Sequence, residues 1–276
     1  MSLDQYINLS KKTFVDGMAS YEGQVRLYPL ADVSSASVDE LDAEIEKSPN
    51  DAELYLKKGI ALSRESLHHQ EAIDVFSKGL LLDPFNAMLY RWRGHKHLNV
   101  REFNAGRSDL ELSSRLDPSN WDTWYHLGLG NYLCGDFERA EKAYRECWNM
   151  TDTDDKRVAI ADWLYMTLMR LGRKDDALAV LDFVTPEIDA GPNEAYFARL
   201  LMYKGIGSPD DLLEGADIAD VNFVTLGYGL GNHFYCAGDI DRAVAIWSDV
   251  LKGSYWSAFG CIASEVELRR LGRMPE

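Results

Sequence analysis

The sequence predicts an all-α protein, a solenoid of helix–turn–helix repeats. Three observations carry that reading. Trp124, Leu127, Gly128 and Leu133 recur at helical spacing, as do Ala140, Tyr144 and Cys147, so two successive helices each carry an apolar stripe. Gly135 and Asp136 stand between them: glycine accepts the left-handed conformation that ends a helix, and aspartate caps the next one. The pattern then repeats. Ala72, Gly106, Ala140, Ala177, Leu212 and Ala243 open the second helices, giving steps of 34, 34, 37, 35 and 31 residues.

Further columns support the register. Four residues after the small position stand Phe76, Leu110, Tyr144, Leu181, Ala216 and Trp247, and three further on Gly79, Ser113, Cys147, Val184, Ala219 and Val250. Pro84 and Pro118 close two units, each after Leu-Asp. A hairpin of this size cannot bury both faces alone, so it needs neighbours. These residue types at a period near 34 resemble the tetratricopeptide repeat. The resemblance covers roughly residues 50–272 and is weakest between 190 and 222, where Leu212 and Ala216 break the size pattern. It implies a right-handed superhelical solenoid whose first helices line a concave groove.

Taken in order, residues 1–37 read as an N-terminal strap, partly helical over Leu3 to Met18 and extended over Val25 to Leu30, because Pro29 bars helix at Tyr28. That strap lies either against the first helices or inside the groove. Residues 38–276 read as one array. A half-unit over 38–49 precedes six hairpins over about 51–251, and a last helix over 256–271 closes the chain. Ser208-Pro209-Asp210 is expected to start the second helix of the fifth hairpin. Glu265, Glu267, Arg269 and Arg270 suit the last helix to a solvated cap.

Composition narrows function. With 45 acidic and 29 basic residues the net charge is −16, which opposes a phosphate backbone and an anionic membrane and leaves a short basic peptide attractive. No secretory signal core and no apolar run of about 18 residues occurs, so a cytoplasmic protein is expected. Cys134, Cys147, Cys236 and Cys261 are far apart and sit on helical stripes, which reads as free core thiols.

Few residues suggest catalysis. Gly128-x-Gly130 and Gly227-x-Gly229-x-Gly231 resemble pieces of a phosphate loop, but no strand precedes them and they fall inside first helices, where packing explains them. His95 and His97 are two apart and diverge on a helix, and His68-His69 has no ligand partner nearby. No catalytic residue, metal site or cofactor is expected.

The repeat resemblance places a partner-binding groove on Arg91, His95, Tyr125, His126, Leu129, Tyr132, Trp163, Met166, Phe197, Tyr228, Asn232 and Tyr235. A lining of rings and aliphatics with a few polar anchors suits a peptide or partner helix. The two-carboxylate clamp of some relatives is absent, since its places hold Leu56, Ile60, Trp92, Asp122 and His126. The expected function is therefore a non-catalytic adaptor that binds a peptide or protein segment. A structural homo-oligomer is the alternative. An enzyme using His95, His126 and Asp162 in the cleft is a third reading.

Overall fold

The computed structural model describes residues 18–21, 24–27, 36–65, 68–218, 220–253 and 255–275. They form a short β-hairpin and thirteen α-helices, in the helical-repeat class that the sequence predicts. The chain divides into two compact units, one ending at Gly130 and the other running from Asn131 to Glu276.

In unit 1, β1 (Met18–Tyr21) pairs antiparallel with β2 (Gln24–Leu27). The helix expected over Leu3 to Met18 is corrected at Met18, which opens β1; residues 1–17, 22–23 and 28–35 of the expected strap lie outside the described residues. Helix α1 (Ala36–Lys47) is followed by the hairpin α2 (Ala52–Glu65) and α3 (His69–Leu82), the hairpin α4 (Ala87–Asn99) and α5 (Phe103–Leu116), and most of α6 (Trp121–Leu133).

The Leu-Asp-Pro turns have a common physical basis. Proline cannot continue a helix, and the preceding aspartate folds its side chain back onto the turn. Asp83 accepts from the Phe85 N–H and Asp117 from the Ser119 N–H. Asn86 and Asn120 then cap α4 and α6, accepting from Leu89 N–H and Thr123 N–H at 3.1 and 3.0 Å. Small residues set the helix crossings. A Cβ at Gly106 would stand 2.7 Å from Leu98 Cδ2 and 2.9 Å from the Gly94 carbonyl oxygen, so α4 and α5 meet backbone to backbone. One repeat earlier, Phe76 fills the space that Gly59 leaves, within a core of Leu56, Leu62, Ala72, Leu89 and Trp92.

Unit 2 holds α7 (Phe137–Asn149), α8 (Asp154–Arg170) with the short α9 (Lys174–Val180), a 3-10 turn at Gly191–Asn193 leading into α10 (Glu194–Lys204), the hairpin α11 (Val221–Ala237) and α12 (Ile240–Val250), and α13 (Phe259–Arg270). Gly135, Gly172 and Gly238 turn the chain with φ of 77, 72 and 88°. Asp136 caps α7 and Asp239 caps α12. Ala140, Ala177 and Ala243 are fully buried, as the repeat columns require.

Two expectations are corrected here. The second helix expected after Ser208-Pro209-Asp210 does not form; Pro209 to Gly215 is a run of turns. Gly205 and Gly215 both take positive φ, which turns the chain at either end of this segment. The last helix is no solvated cap: Cys261 through Leu268 are all buried, with Glu265 and Glu267 each only 2% exposed.

Candidate functional site

In unit 1 the first-helix face is built by α4 and α6. Their matching positions meet in pairs. Arg91 Nη2 lies 3.1 Å from Asp122 Oδ2, and the His95 and His126 rings are 4.1 Å apart. Arg91 and Lys96 sit over Trp92, at 4.1 and 5.6 Å from the ring centre. Trp121 stacks on Tyr125 at 5.0 Å, and Tyr125 meets His126 edge-on at 5.3 Å. The Asp122 carbonyl is 2.7 Å from His126 Nδ1, so that nitrogen carries the proton and donates. Burial, with Arg91 close by, pushes His126 down to about 3. Burial and the Lys96 ammonium hold His95 and His69 well below their ordinary values. These rings are thus neutral at neutral pH, among permanent cations. Arg101 also belongs to this cationic group. It takes φ 66° where later turns use Gly135, Gly172 and Gly238, a conformation costly for a side-chain-bearing residue.

In unit 2 the first helices converge on a buried aromatic and ionic core. The Tyr228 hydroxyl donates to the Tyr132 hydroxyl at 2.8 Å, and Tyr132, Trp163 and Tyr228 pack with ring centres 5.3 to 6.4 Å apart. Arg199, 1% exposed, donates to Asp162 at 2.6 Å and to the Thr225 carbonyl at 2.9 Å. Gly229 makes room for it; a Cβ there would overlap the guanidinium. Burial pushes Asp162 up to about 7, against the opposing pull of Arg199. A second ionic group lies at the helix ends. Glu267 of α13 is 2.9 Å from both Arg170 and Arg270. Arg170 covers the Tyr235 ring at 4.5 Å and reaches Asn232 Oδ1 at 3.5 Å.

The predicted lining residues therefore do gather on the first helices, but most are interior. The expectation that they stand open to a partner is corrected at Arg91, His126, Leu129, Tyr132, Trp163, Met166, Tyr228 and Asn232, all buried. His95, Tyr125, Phe197 and Tyr235 keep intermediate exposure. In unit 2 the cause is that rings at helix spacing pack on one another. Of the proposed acid–base trio, His95 and His126 are brought together, whereas Asp162 is committed to the buried pair with Arg199. Among the described residues no group of three or more metal-ligating side chains occurs, and no helix is long and apolar enough to cross a membrane.

Sequence reasoning missed Arg170, Arg199 and Glu267, whereas the packing role read for Gly229 is the one the structure gives it, as room for Arg199. A signal existed for Glu267. Ile262, Ala263, Val266 and Leu268 surround it on every side of the helix, and a helix without a polar face is a buried one.

No family model matches the chain. Among curated relatives, it is 26% identical over 110 residues to the small glutamine-rich tetratricopeptide repeat-containing protein 2 of Saccharomyces cerevisiae, covering 40% of this chain and 31% of that one. It is 26% identical over 237 residues to tetratricopeptide repeat protein 37 of Xenopus laevis, covering 74% of this chain and 15% of that one. The chain thus spans under a third of the length of either relative. Among solved structures, YrrB, described as a TPR protein with an unusual peptide-binding site, aligns over 83% of this chain and 98% of its own with a TM-score of 0.50 and 16% identity, a likeness of fold. The repeat columns buried at helix crossings and the relatives that carry the repeat make this chain similar to tetratricopeptide-repeat proteins, with their helical-repeat fold.

Proposed function

We propose that the protein is a non-catalytic interaction scaffold and that its working surface is the first-helix face of unit 1. A peptide or extended segment of a partner protein lies along α4 and α6, on Trp121, Asp122 and Tyr125, with Arg91, His95 and His126 behind them. The observation that carries this reading is the stacked Trp121–Tyr125 pair of intermediate exposure beside an exposed Asp122. Flat rings next to charged side chains give contact area and orientation together. Arg91 and Lys96 lie beneath this face against Trp92, and Arg91 pairs with the exposed Asp122, in a chain of net charge −16.

Affinity capture with the intact chain and with Tyr125→Ala tests this. Tyr125 is not fully interior, so truncating its ring alters contact area without opening a core. Loss of specific partners from the variant is the expected result. Identical partner sets for both proteins would remove the face from consideration.

The homo-oligomer reading has one observation in its favour: Leu81 and Phe85, at the end of α3 and the turn after it, are 85% and 78% exposed. Apolar side chains this open mark a contact when several adjoin. Light scattering over a range of concentrations decides it, and a strict monomer throughout rejects it.

A further inference from the structure

The second helices of unit 1 end in apolar side chains that the repeat itself does not use. Leu81 and Leu82 close α3, Phe85 stands in the turn after it, and Leu112 and Leu116 lie in the last part of α5. Leu81 and Phe85 are 85% and 78% exposed; Leu112 and Leu116 are 44% and 39%. The two helix ends adjoin. The Ser113 hydroxyl donates to the Ala87 carbonyl at 2.9 Å, and Asn120 Nδ2 donates to Met88 Sδ at 3.4 Å, which sets the close of α5 against the turn that carries Phe85. A step of 34 residues compares each position with its counterpart in the next unit. Leu82 matches Leu116, as a repeat column should, but Leu81 matches Arg115, Phe85 matches Ser119, and Lys78 matches Leu112. The fold accepts polar and apolar side chains alike at these three places, so packing within the chain does not explain Leu81, Phe85 or Leu112. Adjoining apolar side chains this open mark a contact surface.

Relief and charge indicate what covers it. Leu81 and Phe85 form a ridge, and Leu112 and Leu116, about half as exposed, form a lower seat beside it. A surface that carries both halves of a contact complements a copy of itself across a two-fold axis. Around it, Lys78 and Arg115 stand among Asp83, Glu111 and Asp117, and Asp83 and Asp117 already accept from their own turns. In a chain of net charge −16 this edge is close to balanced. A second copy meets little like-charge repulsion here, and a strongly basic or acidic partner has no field to follow. We propose that two copies of the chain meet at this edge in an isologous dimer, with the ridge of each seated on Leu112 and Leu116 of the other. The proposal rests on the homo-oligomer reading above and gives it a surface and a symmetry. Each contact occurs twice, so one substitution acts twice.

The test follows the full chain by light scattering and sedimentation over a range of concentrations, as wild type, Leu81→Lys and Leu112→Glu. Both leucines are exposed, and lysine suits the negative end of α3, so each variant keeps its helical circular dichroism. Wild type forms a dimer whose share rises with concentration. Each variant alone dimerises about ten-fold or more weakly. An equal mixture of the two recovers the dimer: the introduced lysine of one chain faces the introduced glutamate of the other, and the second contact keeps both native leucines. A wild type that stays monomeric throughout overturns the proposal together with the homo-oligomer reading. A dimer that neither substitution weakens overturns the proposal alone and moves the contact to another surface. Weakening in each variant without recovery in the mixture overturns the pairing of ridge with seat. Tyr125→Ala leaves the dimer intact while abolishing partner capture, so the scaffold reading stands or fails separately.

Discussion

The two units use the same repeat chemistry and put charge to different uses. Unit 1 sets Arg91 and Lys96 over the Trp92 ring and packs the neutral His95 and His126 against each other, with Tyr125 edge-on to His126. Unit 2 pairs its charges inside: Arg199 with Asp162, and Arg170 with Glu267. A paired buried charge locks an arrangement, because removing one partner strands the other in a low-dielectric interior. The lesson is that one column pattern yields either a surface or a core, according to whether another helix covers it.

The largest effect should come from breaking a buried pair. Asp162→Ala strands the Arg199 guanidinium and should cost unit 2 about 3–5 kcal/mol, read as earlier hydrogen exchange in α8, α10 and α11 with unit 1 unaffected. The double change Asp162→Leu with Arg199→Met should recover much of that loss; if it does not, the pair matters for more than its charges.

Next come the packing glycines, one in each unit. Gly229→Ala drives a methyl group into Arg199, and Gly59→Ala drives one into the Phe76 ring. Each should cost about 1–3 kcal/mol in thermal melting. Gly229→Ala should also disturb the Asp162 pair. An unchanged melting temperature in either variant would show that the crossing is looser than these distances imply.

The pH responses should run in opposite directions. Asp162, raised in the fold from its ordinary 3.8 to about 7, contributes stability that is fully present below about pH 4 and is lost as pH rises toward 7. His126, lowered from 6.5 to about 3, contributes stability present above about pH 6.5 and lost as pH falls toward 3. Peptide-resolved hydrogen exchange at pH-corrected rates should show α6 loosening and α8 tightening as pH falls from 6.5 to 4. Parallel shifts in both would contradict the assignment. The smallest effect belongs to the surface: Leu81→Ser should change stability by no more than about 0.5 kcal/mol, while reducing any self-association seen by light scattering.

Most of the fold was legible because its signals are local. Gly135 before Asp136, Leu-Asp-Pro before Asn86 or Asn120, and the small column from Ala72 to Ala243 each act within a few residues. The fifth hairpin was misread because Leu212 and Ala216 match the columns only loosely, and glycine turns outweighed them. The site was half legible. Period placed Tyr132, Trp163 and Tyr228 on a common face, but exposure is set by what packs on that face, and these rings, far apart in the chain, pack on one another. Glu267 looked like a solvent residue by type; only its distant partner Arg170 makes it an interior one.

Site-specific photo-crosslinking in cells addresses the central claim most directly. A photoreactive phenylalanine analogue replaces Tyr125 in one chain and Tyr228 in another. Covalent adducts to another protein from position 125, with none from the covered position 228, are the result expected here. Adducts from position 228 alone would contradict the account, placing the working surface on residues that are buried in unit 2.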